Sequence, residues 1–142
     1  MYATRDDMVK AFGERECIAI TDRDLTGLID DDVMSAALSQ ASAEIDGYLC
    51  GRYPVPWSDE PRVLVGKCCN ITRYLLCGAD TQMTQEIRER YEDTIRYLEK
   101  VASGKISLGR TGAGAVIRST SGAKVVSGGR VFGRDQTDGG GF

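Results

Sequence analysis

The sequence predicts an all-α protein, a small bundle of about four to five helices, followed by an extended glycine-rich C-terminal arm with short β-prone runs. Three observations carry that expectation. Through residues 1–103, apolar residues recur at three- and four-residue spacing, in runs set off by capping residues, glycine and proline. Eleven of the 17 glycines fall in residues 104–142. The charge divides at the same point. Residues 1–103 hold 12 basic and 19 acidic side chains, a net of −7, whereas residues 104–142 hold six basic and two acidic ones, a net of +4. The chain of 142 residues thus reads as a helical body, 1–103, and a basic arm, 104–142.

Thr4 followed three residues later by Asp7 forms a capping box with Asp in the usual Glu place. Met8, Val9 and Phe12 then supply an apolar face, and Gly13 stops this short helix. Residues 14–20 add one or two turns, and Thr21-Asp22-Arg23-Asp24 reads as a turn. Asp30-Asp31-Asp32 opens the first long helix, where three carboxylates complement the helix dipole. Its stripe is Met34, Ala37, Leu38, Ala41, Ile45, Tyr48 and Leu49. Gly51-Arg52-Tyr53-Pro54-Val55-Pro56-Trp57 ends it, the two prolines forcing an extended linker. Pro61 sits where a first helical residue belongs, and Leu64, Cys68, Ile71 and Leu75 follow at helical spacing to Gly78. Thr84 caps the last long helix. Ile87, Tyr91, Ile95, Leu98 and Ala102 are its expected buried stripe, with Glu86–Arg90 and Glu92–Arg96 as acid-first pairs outside. It ends at Ser103-Gly104. Beyond it, the β-prone runs at 115–118, 124–126 and 130–132 are each too short to form a core alone.

The absence of histidine removes the usual general base and the commonest metal ligand, and with them serine and cysteine triads and Cys/His zinc fingers. Five cysteines (Cys17, Cys50, Cys68, Cys69, Cys77), odd in number and lacking any Cys-x-x-Cys, read as reduced packing residues. The Asp30–Asp32 cluster departs from the calcium-loop spacing and reads as a helix cap. Gly109-Arg110-Thr111-Gly112-Ala113-Gly114 lacks the lysine of a phosphate loop. Cys68-Cys69 has no candidate base beside it. The expectation is a non-enzyme without cofactor or metal. No run is apolar enough to span a bilayer, and the first residues lack the layout of a signal peptide, so a cytosolic setting is expected.

Met1-Tyr2-Ala3-Thr4, the segment 41–49, Gly51-Arg52-Tyr53-Pro54-Val55-Pro56, Arg90-Tyr91, Gly104-Lys105-Ile106-Ser107-Leu108-Gly109 and Gly129-Arg130-Val131-Phe132-Gly133-Arg134-Asp135 together resemble the Mu-like phage and prophage head–tail connector family, the neck or head-completion proteins. The cysteine-rich Cys68-Cys69 and Cys77 and the very glycine-rich end depart from its pattern. The resemblance implies a homo-oligomeric ring, dodecameric in this class, seated in the virion neck after assembly in the bacterial host cytoplasm. A portal protein lies on one side and a tail-side neck or tail terminator protein on the other. DNA passes through the lumen without sequence-specific binding, and no membrane is involved. On that reading residues 104–142 are a docking arm, with Val131 and Phe132 as apolar anchors and Arg130 and Arg134 as polar contacts; Phe142 belongs to the same arm. Asp46, Tyr48, Arg52, Tyr53, Pro54 and Pro56 fix the turn between two core helices or form an interface. An alternative of another class is a small nucleic-acid-binding regulator that uses the basic tail.

Overall fold

The computed structural model describes residues 1–78, 83–109, 111 and 113–119. The runs at 124–126 and 130–132, with Arg130, Val131, Phe132, Arg134 and Phe142, lie outside the described residues. Five helices follow in order: α1 (Arg5–Phe12), α2 (Glu14–Thr21), α3 (Asp31–Leu49), α4 (Arg62–Leu76) and α5 (Gln85–Ala102). Among the described residues no strand forms; Pro61 and Thr111 make an isolated antiparallel bridge.

Local chemistry sets the helix starts. The Thr4 hydroxyl accepts from the Asp7 amide while the Asp7 carboxylate accepts from the Thr4 amide at 2.9 Å, which closes the capping box of α1. Asp30 accepts from the amides of Asp32 and Val33, each at 3.0 Å, and starts α3. The Thr84 hydroxyl accepts from Ile87 at 3.3 Å and starts α5.

Tertiary packing then pairs α3 with α4 and lays α5 against both, with α1 and α2 across the bundle. The side-chain register makes neighbouring long helices antiparallel. Cys68 of α4 lies 3.7 Å from the Ser42 hydroxyl of α3. Asn70 donates to Thr94 at 3.3 Å, and the Tyr74 and Tyr91 rings stack at 3.9 Å. Met8, Met34, Ile45, Leu49, Leu64, Ile71, Leu98 and Val101 are the large, fully buried core. Arg73 is buried with them, and binds α4 to three other helices: it pairs with Glu16 of α2, lies 3.7 Å from Glu86 of α5, and stacks over the Phe12 ring of α1 at 4.6 Å.

Several expected details shift by one position. Pro61 is the N-cap of α4 and not its first helical residue, since its ψ of 123° is extended. On α5 the buried residues are Ile87, Thr94, Leu98 and Val101, while Ala102 faces solvent, because the seam that packs on α3 and α4 follows the seven-residue row Ile87, Thr94 and Val101. Glu86 pairs with Arg90 at 2.8 Å as expected, but Arg96 turns to Asp93 at 2.8 Å instead of Glu92. The described part of the arm runs back over the body: Leu108 is buried in the core, and Ile106 and Ile117 pack against it.

Candidate assembly surface

Two regions at opposite ends of the bundle gather the side chains that could meet a partner. The first is the linker end, where α3 stops and α4 begins. The Tyr2 hydroxyl donates to Asp46 and accepts from Trp57 Nε1 at 2.7 Å. Burial and the contact with Asp46 push the Tyr2 phenol well above its ordinary range, so it remains a neutral donor. The Tyr53 ring is buried 5.5 Å from Trp57. Pro54 and Pro56 are exposed on this linker, and the Val55–Pro56 peptide bond is cis. Arg52 lays its guanidinium against the Cα of Gly104, just past the end of α5. The segment after α5 completes this end: Ala113 donates to the Asp59 carboxylate at 2.8 Å, and Ile117 donates to the Gly109 carbonyl at 3.1 Å.

Asp46, Arg52, Tyr53, Pro54 and Pro56 are therefore brought together at one end of the bundle. Tyr48, two residues after Asp46 on α3, is half-buried near Tyr91, which donates to Glu44 at 3.0 Å. Burial, then the Glu44 contact, pushes the Tyr91 phenol up to about 12.

The second region is the loop of residues 22–30, at the start of α3. The Asp22 carboxylate accepts from the Thr26 amide at 2.8 Å and the Gly27 amide at 2.6 Å, and these bonds hold it below the usual carboxylate range. The Thr26 hydroxyl in turn accepts from Leu28. So closed, the loop holds Leu25 at a φ of +58°, a left-handed backbone rarely taken by a leucine. Leu25 is 91% exposed and Leu28 70% exposed. A groove of about 400 Å³ lies between α3 and the end of α4, lined by Val33, Ala36, Ala37, Leu75 and Leu76, with Arg23 from the same loop and Asp32 from the start of α3 also in its lining.

Cys17, Cys68, Cys69 and Cys77 are buried, and burial pushes each thiol up, Cys69 to about 12, so the nucleophilic thiolate is disfavoured. Among the described residues no group of three or more Cys, Asp or Glu is placed to hold a metal ion, and no helix is long and apolar enough to cross a membrane.

Reading the sequence named Tyr2, Trp57 and Gly104 without a site role at the linker end, and passed over Arg73 in the core and Leu25 and Leu28 on the loop. Only the two leucines carried a usable signal: apolar residues inside a turn rich in Asp, Thr and Gly that no helical stripe claims.

Residues 2–127 match the family described as Bacteriophage Mu, Gp36. The Mu-like prophage FluMu protein gp36 of Haemophilus influenzae is 40% identical over 139 residues, covering 98% of this chain and 97% of that protein. Gene product J of Escherichia phage Mu is 36% identical over 109 residues, 76% of each chain.

Proposed function

The chain belongs to the bacteriophage Mu Gp36 family, and from that kinship we propose that it is a structural, non-catalytic virion protein, a head–tail connector. Copies form a ring in the neck, between a portal protein and a tail-side neck or terminator protein, and DNA passes through the lumen. The observation that carries the reading is the locked loop that exposes Leu25 and Leu28. A large apolar side chain held in water by its own loop is what a subunit has when a neighbour covers it. The acidic body, net −7 over residues 1–103, suits a conduit, because like charge repels phosphates and leaves DNA free to slide.

Because Leu108 and Ile117 belong to the packed body, the test is truncation after Ser119 and not after the last helix. Phage or prophage particles assembled with the truncated chain are imaged by negative-stain electron microscopy. Filled heads and unjoined tails are the expected product. Joined particles at normal yield would refute the arm's part in joining, and joined particles from phage lacking the whole chain would refute the connector reading. Salt-dependent DNA binding by the full-length chain, lost with the tail's basic residues, would favour the regulator instead.

A further inference from the structure

The loop that exposes the leucines also borders the α3–α4 groove in sequence. Arg23 begins the loop and edges the groove, and Asp32 and Val33 follow just after Leu28 and line it. Five carboxylates fall in the stretch from Asp22 to Asp32, of which Asp32 lines the groove together with Arg23. Asp22 and Asp30 are taken up by backbone amides, and Asp31 pairs with Arg5 at 2.9 Å. Asp24 and Asp32 are exposed, with no ion pair among the described residues. A ligand for such a surface needs apolar side chains to cover two leucines and two cations for two carboxylates.

One segment of this chain has that composition. Residues 130–134 read Arg-Val-Phe-Gly-Arg and lie outside the described residues. Bound as an extended segment, they put Arg130, Phe132 and Arg134 on one face, the aromatic ring between two guanidinium groups. We propose that the surface formed by Leu25, Leu28 and the α3–α4 groove is the docking site for residues 130–134 of a neighbouring copy. Phe132 lies on the groove floor against the leucines, and Arg130 and Arg134 face Asp24 and Asp32.

The position of the described chain end selects a neighbour over the chain's own arm. Ser119 follows Ile117, which is tied to Gly109 at the linker end, and the site lies at the other end of α3. The 19 residues of α3 are about 28 Å long. Eleven residues from Ser119 to Arg130 reach at most about 40 Å fully stretched. Docking onto the same body therefore demands at least about two-thirds of full extension before any path around the bundle is counted, whereas a ring supplies a neighbour at every position. The inference rests on the connector reading for that neighbour alone.

Two full-length variants test it. The receptor carries Arg130→Ser, Phe132→Ser and Arg134→Ser and keeps the loop. The donor carries Leu25→Ser and Leu28→Ser and keeps the arm. A fluorescent peptide of residues 127–137 is titrated onto the receptor and followed by anisotropy. Saturable binding is expected, weakening with salt and falling roughly tenfold to a hundredfold when Leu25→Ser and Leu28→Ser are added to the receptor. Both leucines are exposed, so a melting curve equal to the parent's shows that the loss is not unfolding. In sedimentation, donor and receptor mixed are expected to associate, and neither variant alone should do so through this contact. Absent binding, or binding indifferent to the leucines, overturns the site. Peptide binding without association of the mixed pair places the arm on its own body and overturns the assignment to a neighbour. Neither measurement reads head–tail joining, so absent peptide binding sinks this inference alone, and only joining in the absence of the whole chain sinks the connector reading.

Discussion

Gly104→Ala strikes the point where α5 ends and the chain turns back toward the core. The Gly104 amide donates to Val101 at 3.0 Å, the Lys105 amide to Lys100 at 2.9 Å, and the turn sends Ile106 and Leu108 onto the body. Gly104 has a φ of +79°, where a Cβ costs roughly 1–2 kcal/mol. That Cβ would also strike the Arg52 guanidinium, which must leave its place and forfeit contacts worth on the order of 1 kcal/mol. The sum is about 2–3 kcal/mol, a fall in Tm of roughly 6–12 °C for a chain of this size. Thermal unfolding by circular dichroism measures it, and a double-mutant cycle with Arg52→Ala separates the parts. In the Arg52→Ala background only the backbone cost should remain, a coupling of about 1 kcal/mol. A Tm unchanged by Gly104→Ala, or a loss equal in the two backgrounds, would refute the wedge between Arg52 and the end of α5.

Arg73→Ala should cost about 3 kcal/mol, because it strands Glu16 and uncovers the Phe12 ring; Arg73→Lys should recover only part, lacking the planar stack. A urea midpoint shift at constant slope reads both. Iodoacetamide under native conditions should label Cys50 quickly and the buried Cys17, Cys68, Cys69 and Cys77 only after unfolding, which mass spectrometry resolves. The Tyr91 phenol is raised from 10.0 to about 12 in the fold, so its contribution is fully present below pH 10 and is lost as pH rises toward 12. Tyr91→Phe should flatten that alkaline limb in a series of melts, and an unchanged limb would count against the Glu44 contact.

How much of the fold was legible follows from which interactions are local. The Thr4–Asp7 box, the Asp30 and Thr84 caps and the α3 stripe were readable because a cap and its amide lie within four residues. The exact buried face of α5 was not readable: Val101 replaces Ala102 because the seam faces α3 and α4, whose position no local spacing encodes. At the candidate surfaces the split is similar. The block from Asp46 to Pro56 stood out by its glycine, arginine and prolines. The contacts that Tyr2, Trp57 and Gly104 make with it were not legible, since two of them span over forty residues of chain, 44 from Tyr2 to Asp46 and 55 from Trp57 to Tyr2.

By itself, the sequence determined the helices, their caps, the absence of histidine chemistry and the division of charge, because composition and short-range periodicity are properties of neighbouring residues. Only the tertiary structure decided that Arg73 is buried and ties α4 to three other helices, that Leu108 belongs to the core, and that Leu25 and Leu28 remain outside it. Burial is settled by which surfaces meet, and an apolar residue in a loop has the same composition whether the bundle covers it or leaves it for a neighbour.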